Sequence, residues 1–245
     1  MLRCFKADLH IHTCLSPCAD LSMSPKNIIA EILEKEINII AISDHNSAEN
    51  LPGVVKAAAG KPVVILPGME ICSSEEIHVL ALFDSMDSAN AMQSFVYDHL
   101  HGQNDPEVFG MQVIANEFDE VEGFQDRLLI GATDIPIGEV VDRIRRLNGL
   151  AIASHIDRES FSVISQLGFI PDSLKFDALE ISSNISNKDA QVRFNEYGRY
   201  SFIRNSDAHF LNQIGSQTTM FRLEEPTLGE IAKALRADEG RMIQA

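Results

Sequence analysis

Short apolar segments alternate along this chain with amphipathic stretches of helical length. The apolar segments are Cys4–Leu9, Ile37–Ile42, Val63–Leu66, Val79–Phe83, Leu150–Ala153, Ala178–Ile181, Phe202–Ile203 and Thr219–Leu223. The helical candidates are Pro25–Lys35, Ala48–Ala59, Ile137–Leu147, Asn187–Glu196 and Thr227–Ala237. This alternation is typical of β/α units around a parallel sheet. Because 245 residues can bury the core of a barrel-sized domain, we expect a single α/β barrel domain over residues 1–245.

Residues 85–135 interrupt the alternation. A helix-like stretch runs to about His101, and a loop rich in Gly, Asn, Asp and Pro follows it. Two apolar runs then flank the acidic segment Asn116–Asp126. This order predicts an inserted helix and hairpin. Because binding determinants favour loops carried by a rigid scaffold, we expect the insertion to shape one side of a site.

Imidazoles and carboxylates follow the predicted strands at five strand ends. They are His10 and His12, Asp44 and His45, Glu70, His155, and Asp207 and His209. Such side chains are seldom buried without a partner. His10 and His12 are two apart on a strand and so share one face. In a β/α barrel the C-terminal strand ends converge, so the sequence predicts one cluster of these side chains.

A cluster of this composition is typical of a metal centre. Histidine with carboxylate ligation suits zinc, manganese or iron better than calcium or magnesium. Carboxylates such as Glu70 and Asp207 can bridge ions that are held close together. We therefore expect divalent metal ions (Zn, Mn or Fe) as cofactors.

The ordered motifs resemble those of the polymerase and histidinol phosphatase (PHP) domain family, from Asp8 to about Leu235. The resemblance implies a distorted, seven-stranded TIM-like β/α barrel that carries up to three metal ions. The ligand sets it implies are His10, His12, Glu70 and Asp207 for one ion, Asp20, His45 and His209 for a second, and Glu70, His78 and His155 for a third. His78 precedes an apolar run, so its assignment depends on the resemblance alone.

The position of Asp20 differs from the pattern of the family's short forms. Five residues, Leu15-Ser16-Pro17-Cys18-Ala19, lengthen the loop between His12 and this acid. Cys18 or Cys14 is the alternative ligand, since a thiol can replace the carboxylate. The simpler interpretation of either cysteine is a small buried side chain.

Three candidate substrate contacts accompany the same strand ends. Arg158 follows His155 by three residues, Arg204 precedes Asp207 by three, and Asn184 comes after a predicted strand. Guanidinium groups match the geometry of phosphate oxygens. We expect Arg158 to act in catalysis and to bind substrate together with Arg204 and Asn184. Surface ion pairs with the surplus acids are the alternative for both arginines.

The predicted chemistry is hydrolysis of a phosphate ester by a metal-activated water, which needs no protein nucleophile. Asp44, adjacent to His45, is a candidate catalytic residue. Neighbours on a strand face opposite ways, so orientation of another ligand or capping of the strand end are the alternatives for Asp44.

Composition limits the partners. The formal net charge of −16 argues against an extended nucleic-acid surface, whereas a small phosphorylated substrate or short nucleotide is compatible because bound cations attract anions locally.

Charges and histidines interrupt every apolar stretch near the N-terminus, so we expect no signal peptide, no membrane span and a cytoplasmic location. Four cysteines without CxxC spacing predict reduced thiols. No feature indicates an obligate protein partner.

The sequence thus predicts a metal-dependent phosphoesterase that acts on a small phosphomonoester or (oligo)nucleotide. A single-strand nuclease is one alternative, although it would need a basic track. A non-catalytic metal-binding regulatory module is another alternative, although barrels that have lost catalysis normally lack some of the metal ligands. An amidohydrolase barrel also begins with His-x-His, but it would be favoured by a bridging lysine at a strand end.

Overall fold

A computed structural model of the protein describes residues 1–244. Its strands are β1 (Arg3–Ile11), β2 (Ile39–Ile42), β3 (Val64–Cys72), β4 (His78–Leu82), β5 (Val113–Ala115), β6 (Val121–Phe124), β7 (Leu150–Ala153), β8 (Ala178–Glu180), β9 (Ser201–Ile203), β10 (Thr219–Leu223) and β11 (Met242–Gln244). Its helices are α1 (Pro25–Glu34), α2 (Leu51–Ala57), α3 (Met86–His99), α4 (Ile137–Arg146), α5 (Val163–Leu167), α6 (Asn187–Arg193) and α7 (Leu228–Leu235). Within residues 1–244, no helix combines the length and the apolar character that a membrane crossing requires.

Nine strands form one sheet in the order β11-β10-β1-β2-β3-β4-β7-β8-β9. The chain beyond β9 returns to β1, where the amide of His12 donates to the Ala208 carbonyl (3.0 Å) and the amide of Leu9 to Asn205 Oδ1 (2.8 Å). These bonds produce a nearly closed barrel of seven strands, which are β1, β2, β3, β4, β7, β8 and β9. β10 pairs antiparallel with the first half of β1, and β11 pairs antiparallel with β10. The predicted distorted, seven-stranded β/α barrel is confirmed.

The distortion is centred on β4. This strand pairs antiparallel with both β3 and β7. The pairs of β1 with β2, of β7 with β8 and of β8 with β9 are parallel. An antiparallel strand begins at the edge where its parallel neighbours end. His78, the first residue of β4, consequently lies at the barrel end that also receives the C-terminal ends of the parallel strands.

β3 is longer than the apolar run that predicts it. Its first half, Val64–Pro67, pairs parallel with β2, and its second half, Gly68–Cys72, pairs antiparallel with β4. Glu70 therefore lies inside a strand and not beyond its end, which corrects the prediction. The change of partner occurs at Gly68, where a Cβ atom would lie 2.7 Å from the Ile42 carbonyl oxygen.

We expect Gly68→Ala to lower the free energy of unfolding by about 1–3 kcal/mol, because the two strand backbones would have to separate. Chemical denaturation of the metal-free protein measures this. Gly138→Ala in α4 is the matched control, since nothing lies within 4 Å of its added Cβ and alanine favours a helix. Equal stability of wild type and Gly68→Ala would contradict the close approach.

A bulge in β1 turns His10 and the following His12 inward. The register with β2 shifts between Asp8 and Ile11. Leu9 packs in the barrel interior, whereas Ile11 packs in the layer between the sheet and the helices. His10 and His12, on either side of Ile11, therefore both face the interior at the end of the barrel. Bulges often re-aim side chains in this way next to active sites.

The inserted region begins later than the sequence suggests. α3 buries Ala89, Met92 and Val96 in the same outer layer as the other helices. It is therefore a barrel helix, and only the segment after it leaves the barrel.

A separate hairpin of β5 and β6 follows α3. The sequence pattern places its second strand after Asp126, but β6 lies inside the acidic segment Asn116–Asp126. The hairpin supports the loop that follows His12, because the amide of Val113 donates to the Cys14 carbonyl (2.9 Å). The insertion thus lies beside the barrel end that carries the histidines.

Candidate metal centre

Eight of the nine predicted metal ligands meet at one end of the barrel. They are His10, His12, His45, Glu70, His78, His155, Asp207 and His209. The most exposed of them, His209, has 22% of its side chain exposed. Strands that end in polar residues therefore do converge, and they converge in a largely buried position.

Glu70 lies at the centre of this cluster. Five histidine nitrogens surround its carboxylate, which are His10 Nε2 (3.3 Å), His78 Nδ1 (3.1 Å) and His155 Nε2 (3.3 Å) at Oε1, and His45 Nδ1 (3.2 Å) and His12 Nε2 (3.5 Å) at Oε2. Burial alone would raise the pKa of the Glu70 carboxyl, but His78 and His10 hold it well below its usual range. The carboxylate is therefore ionised and faces more than one potential ion position.

Four ligand atoms, from His10, His12, Glu70 and Asp207, converge on one point. The Nε2 atoms of His10 and His12 are 3.2 Å apart, and Asp207 Oδ1 lies 3.3 Å and 3.2 Å from them. Two ligands of a tetrahedral zinc ion lie about 3.4 Å apart, given metal–ligand distances of about 2.0–2.1 Å. The four side chains thus have the spacing of one coordination shell, and they form the set that the family resemblance implies for the first ion.

Two further groups share ligands with this set. His12, His45 and His209 form one, and His45, Glu70 and His78 form the other. Of the ligand sets that the resemblance implies, the second is represented here by His45 and His209, and the third by Glu70 and His78. His155 approaches Glu70 but does not belong to a converging group.

Asp20 is not part of the cluster, which corrects its assignment. The longer loop leaves it exposed, and its carboxylate accepts a hydrogen bond from the backbone two residues later (2.8 Å). The exposed residue Cys18 lies near the cluster instead. Partial burial raises the pKa of its thiol, but the neighbouring imidazoles of His209 and His45 outweigh this effect and lower the pKa to about 6. Cys14 is buried elsewhere, and burial raises its pKa to about 12.

Several polar atoms of the cluster are buried without a hydrogen-bond partner, among them Glu70 Oε1, His78 Nδ1 and Asp207 Oδ1. Glu70 Oε1 and His78 Nδ1 are 3.1 Å apart, yet they do not have hydrogen-bond geometry. Each unpaired buried group costs about 1–3 kcal/mol. A cation with nitrogen and oxygen ligands would satisfy all three atoms, so the donor set fits a divalent metal ion.

Glu180, at the end of β8, supports the cluster from behind. Its two carboxylate oxygens both lie 3.1 Å from Nδ1 of His10. It also accepts hydrogen bonds from the amide of His155 (3.0 Å) and from Asn205 Nδ2 (2.7 Å). A carboxylate on Nδ1 leaves Nε2 of His10 free to bind metal. The sequence analysis did not single out Glu180, although a carboxylate at the end of an apolar strand is the same signal that identified the other sites.

Asp44 is bonded to neighbouring polar groups and is not part of the cavity wall. It is fully buried and accepts hydrogen bonds from the amide and hydroxyl of Thr13 and from the Ser16 hydroxyl, each at 2.7 Å. Because Ser16 donates to Asp44, its oxygen accepts from Nδ1 of His12 (3.0 Å), which leaves Nε2 of His12 free. Burial and the neighbouring imidazoles hold the pKa of His12 well below its usual range. Asp44 thus contacts Thr13 and Ser16 and does not line the cavity.

A cavity of about 200 Å³ opens beside the cluster. Arg158, Ile130 and Phe161 line it together with the ligands. Arg158 is partly exposed, and its Nη1 lies 2.7 Å from Asp207 Oδ2, the carboxylate oxygen that does not face the two histidines of β1. The structure thus places Arg158 at the mouth of the site, where the sequence predicted it.

Arg204 and Asn184 do not reach this cavity, which corrects their predicted role. The guanidinium of Arg204 donates to the carbonyls of Ser182 and Ile185, both at 2.7 Å, so it holds the segment after β8. Asn184 is exposed and lines a different surface depression, together with Arg204.

A nearly closed β/α barrel with imidazoles and carboxylates at its strand ends defines a metal-dependent hydrolase. The chain belongs to the PHP domain family, whose model matches residues 8–158, more than half of its length. A second model, PHP-associated, matches residues 184–239. No curated protein matches the sequence.

Solved structures share the fold at low sequence identity. The lesion-specific endonuclease Q of Pyrococcus furiosus has 19% identity and a TM-score of 0.79 over 98% of this chain. Endonuclease Q in complex with a 27-mer duplex that contains an abasic lesion has 18% identity and a TM-score of 0.75, also over 98% of this chain. This chain spans 58% of the length of each. A protein from Bifidobacterium adolescentis described as a metal-dependent phosphoesterase has 16% identity and a TM-score of 0.56, over 83% of this chain and 87% of its own.

Proposed function

We propose that the chain hydrolyses the phosphate ester of a small phosphomonoester or short nucleotide, with two or three divalent ions at the barrel end. The observation that carries the proposal is the convergence of His10, His12, Glu70 and Asp207 beside a cavity that Arg158 lines. Membership of the PHP domain family supports it. The proposed ions are zinc, manganese or iron, because imidazole and carboxylate together suit these metals.

Bound ions would lower the pKa of a water molecule and neutralise charge on the phosphoryl oxygens. The chain supplies the positioning. Glu180 and Ser16 fix the imidazoles of His10 and His12 with Nε2 toward the cluster. Arg158 binds a phosphoryl oxygen at the mouth, where its contact with Asp207 holds the guanidinium beside the ligands.

A nuclease is the second candidate, and the similarity in fold to endonuclease Q over 98% of the chain favours it. The formal net charge of −16 weighs against a long nucleic-acid track. The two candidates differ in how turnover depends on substrate length. A phosphoesterase acting on small substrates loses activity as an oligonucleotide lengthens, whereas a nuclease gains it.

The test is phosphate release from metal-free protein reloaded separately with manganese, zinc or iron. The substrates are phosphomonoesters, nucleoside 3′,5′-bisphosphates and oligonucleotides of increasing length. We expect turnover that disappears with the metal and returns on reloading. Stoichiometric metal binding without turnover on any substrate would overturn the proposal and leave a metal-binding regulatory module.

Arg158→Lys tests the proposed substrate contact. Lysine retains the charge but loses the planar pair of donors that matches two phosphate oxygens. We expect KM for the best substrate to rise about 10-fold, equivalent to roughly 1.4 kcal/mol, with metal content unchanged. Arg204→Lys is the matched control, since Arg204 bonds to backbone carbonyls away from the cavity. Equal kinetic effects of the two variants would contradict the assignment of Arg158.

A further inference from the structure

Phe161 carries an aromatic ring at the mouth of the cavity. The ring stacks on His78 with centroids 4.6 Å apart and an interplanar angle of 23°. The residue is 38% exposed and lines the same cavity as Arg158. One face of the ring is covered by the imidazole of a candidate metal ligand, so the ring extends the apolar wall of the cavity toward solvent.

The backbone of Phe161 holds the ring in this place. Its φ is +56°, a region that bulky residues rarely adopt and that is often found at functional sites. The Phe161 carbonyl accepts a hydrogen bond from the amide of His78 (2.9 Å), and the hydroxyl of Ser162 donates to the Arg158 carbonyl (2.8 Å). The loop that carries Arg158 and Phe161 is therefore anchored to β4 and closed on itself.

Phe161 does not make the packing contact that is usual for a residue just before a helix. Phe161 directly precedes Ser162, the N-cap of α5, where an apolar residue usually packs against an apolar residue four positions into the helix. That position is the exposed residue Gln166. The ring packs on His78 and lines the cavity instead of packing against the first turn of the helix.

The cavity is too small for a whole nucleotide. Its volume of about 200 Å³ is below the roughly 300–1,000 Å³ of pockets that enclose a complete drug-sized ligand. A phosphoryl group bound at the ligands would therefore leave the rest of the substrate at the rim. Ile130 and Phe161 are the apolar residues that line the cavity.

We propose that Phe161 is a stacking platform for a nucleobase and that the substrates of this site are nucleotides rather than sugar or alkyl phosphates. This inference rests on the proposed function. Base stacking on an aromatic ring is tolerant of base identity, because every base offers a π face. The site therefore selects for the presence of a base and not for which base it is.

The test compares adenosine 5′-monophosphate with ribose 5-phosphate, which carries a hydroxyl group in place of the base, on manganese-loaded protein. Wild type should show a KM about 10-fold lower for the nucleotide. Phe161→Leu keeps an apolar side chain without the π face, and it should raise the nucleotide KM about 10-fold while leaving kcat and the ribose 5-phosphate KM unchanged. Phe169→Leu, at another exposed phenylalanine outside the cavity wall, is the matched control and should change neither.

Three readouts would overturn the stacking role. They are the absence of a base preference in wild type, an equal loss on both substrates in Phe161→Leu, or a lower manganese content in that variant, which would show that the ring only positions His78. If neither compound is turned over, the proposed function fails separately. Calorimetric binding of the two compounds to the loaded protein still decides whether Phe161 contributes to a base preference.

Discussion

Glu70→Gln is expected to remove most bound metal and to lower kcat by about a thousand-fold, equivalent to roughly 4 kcal/mol. The substitution keeps the size of the side chain but removes the charge that five imidazoles surround. Glu70 also belongs to two of the three converging ligand groups, so its loss affects more than one ion position. Metal content per chain by mass spectrometry, measured beside kcat, checks the prediction.

Glu34→Gln, an exposed residue in α1, makes the same chemical change as its control. Circular dichroism of both metal-free variants separates loss of metal from loss of fold. Full metal content in Glu70→Gln, together with wild-type turnover, would show that the central carboxylate is not a ligand. Full content with reduced turnover would restrict its role to the chemical step.

The site residues at strand ends were predictable because the sequence signal for them is local. His45, His155 and Asp207 each follow an apolar run, and a polar residue at that point has to leave the core or find partners. Parallel strands then bring such residues together without further information. The alternation of apolar runs and helical stretches predicted this part of the site, and its eight apolar runs correspond to the seven strands of the barrel and to β10. The number of seven barrel strands was implied by the family resemblance.

The remaining features depend on contacts between segments that are distant in sequence. Glu70 lies inside β3 because this strand changes partner at Gly68, and His78 reaches the site because β4 runs antiparallel. The bulge that aims His10 and His12 depends on pairing with β2. An apolar run in the sequence indicates a strand, but it does not give the direction or the register of that strand.

Loop conformation was also beyond the sequence pattern. The family resemblance made Asp20 the preferred ligand, but the longer loop leaves it exposed and places Cys18 near His45 and His209. Arg204 is near Asp207 in sequence, yet backbone carbonyls satisfy its guanidinium. Spacing along the chain indicates proximity, whereas hydrogen-bond partners decide which way a side chain points.

Glu180→Ala is expected to weaken metal binding about 10- to 100-fold, the usual effect of losing the partner that orients a ligating histidine. The substitution also leaves the amide of His155 and the side-chain amide of Asn205 without their acceptor. Two unpaired buried donors cost about 2–6 kcal/mol, so the metal-free protein should unfold at lower denaturant concentration. Metal titration with a chelator competitor and chemical denaturation give the two readouts.

Glu180→Gln separates these two effects. The amide oxygen can still accept from Asn205, but the amide nitrogen cannot accept from the backbone of His155. Stability should therefore recover in part, while the negative charge that orients His10 is lost and metal affinity stays low. Glu196→Ala, at an exposed position before β9, is the control and should match wild type in both measurements. Wild-type metal affinity in Glu180→Ala would contradict the orienting role. Equal destabilisation in the Ala and Gln variants would instead show that the hydrogen bond from Asn205 contributes little to the stability of this end of the barrel.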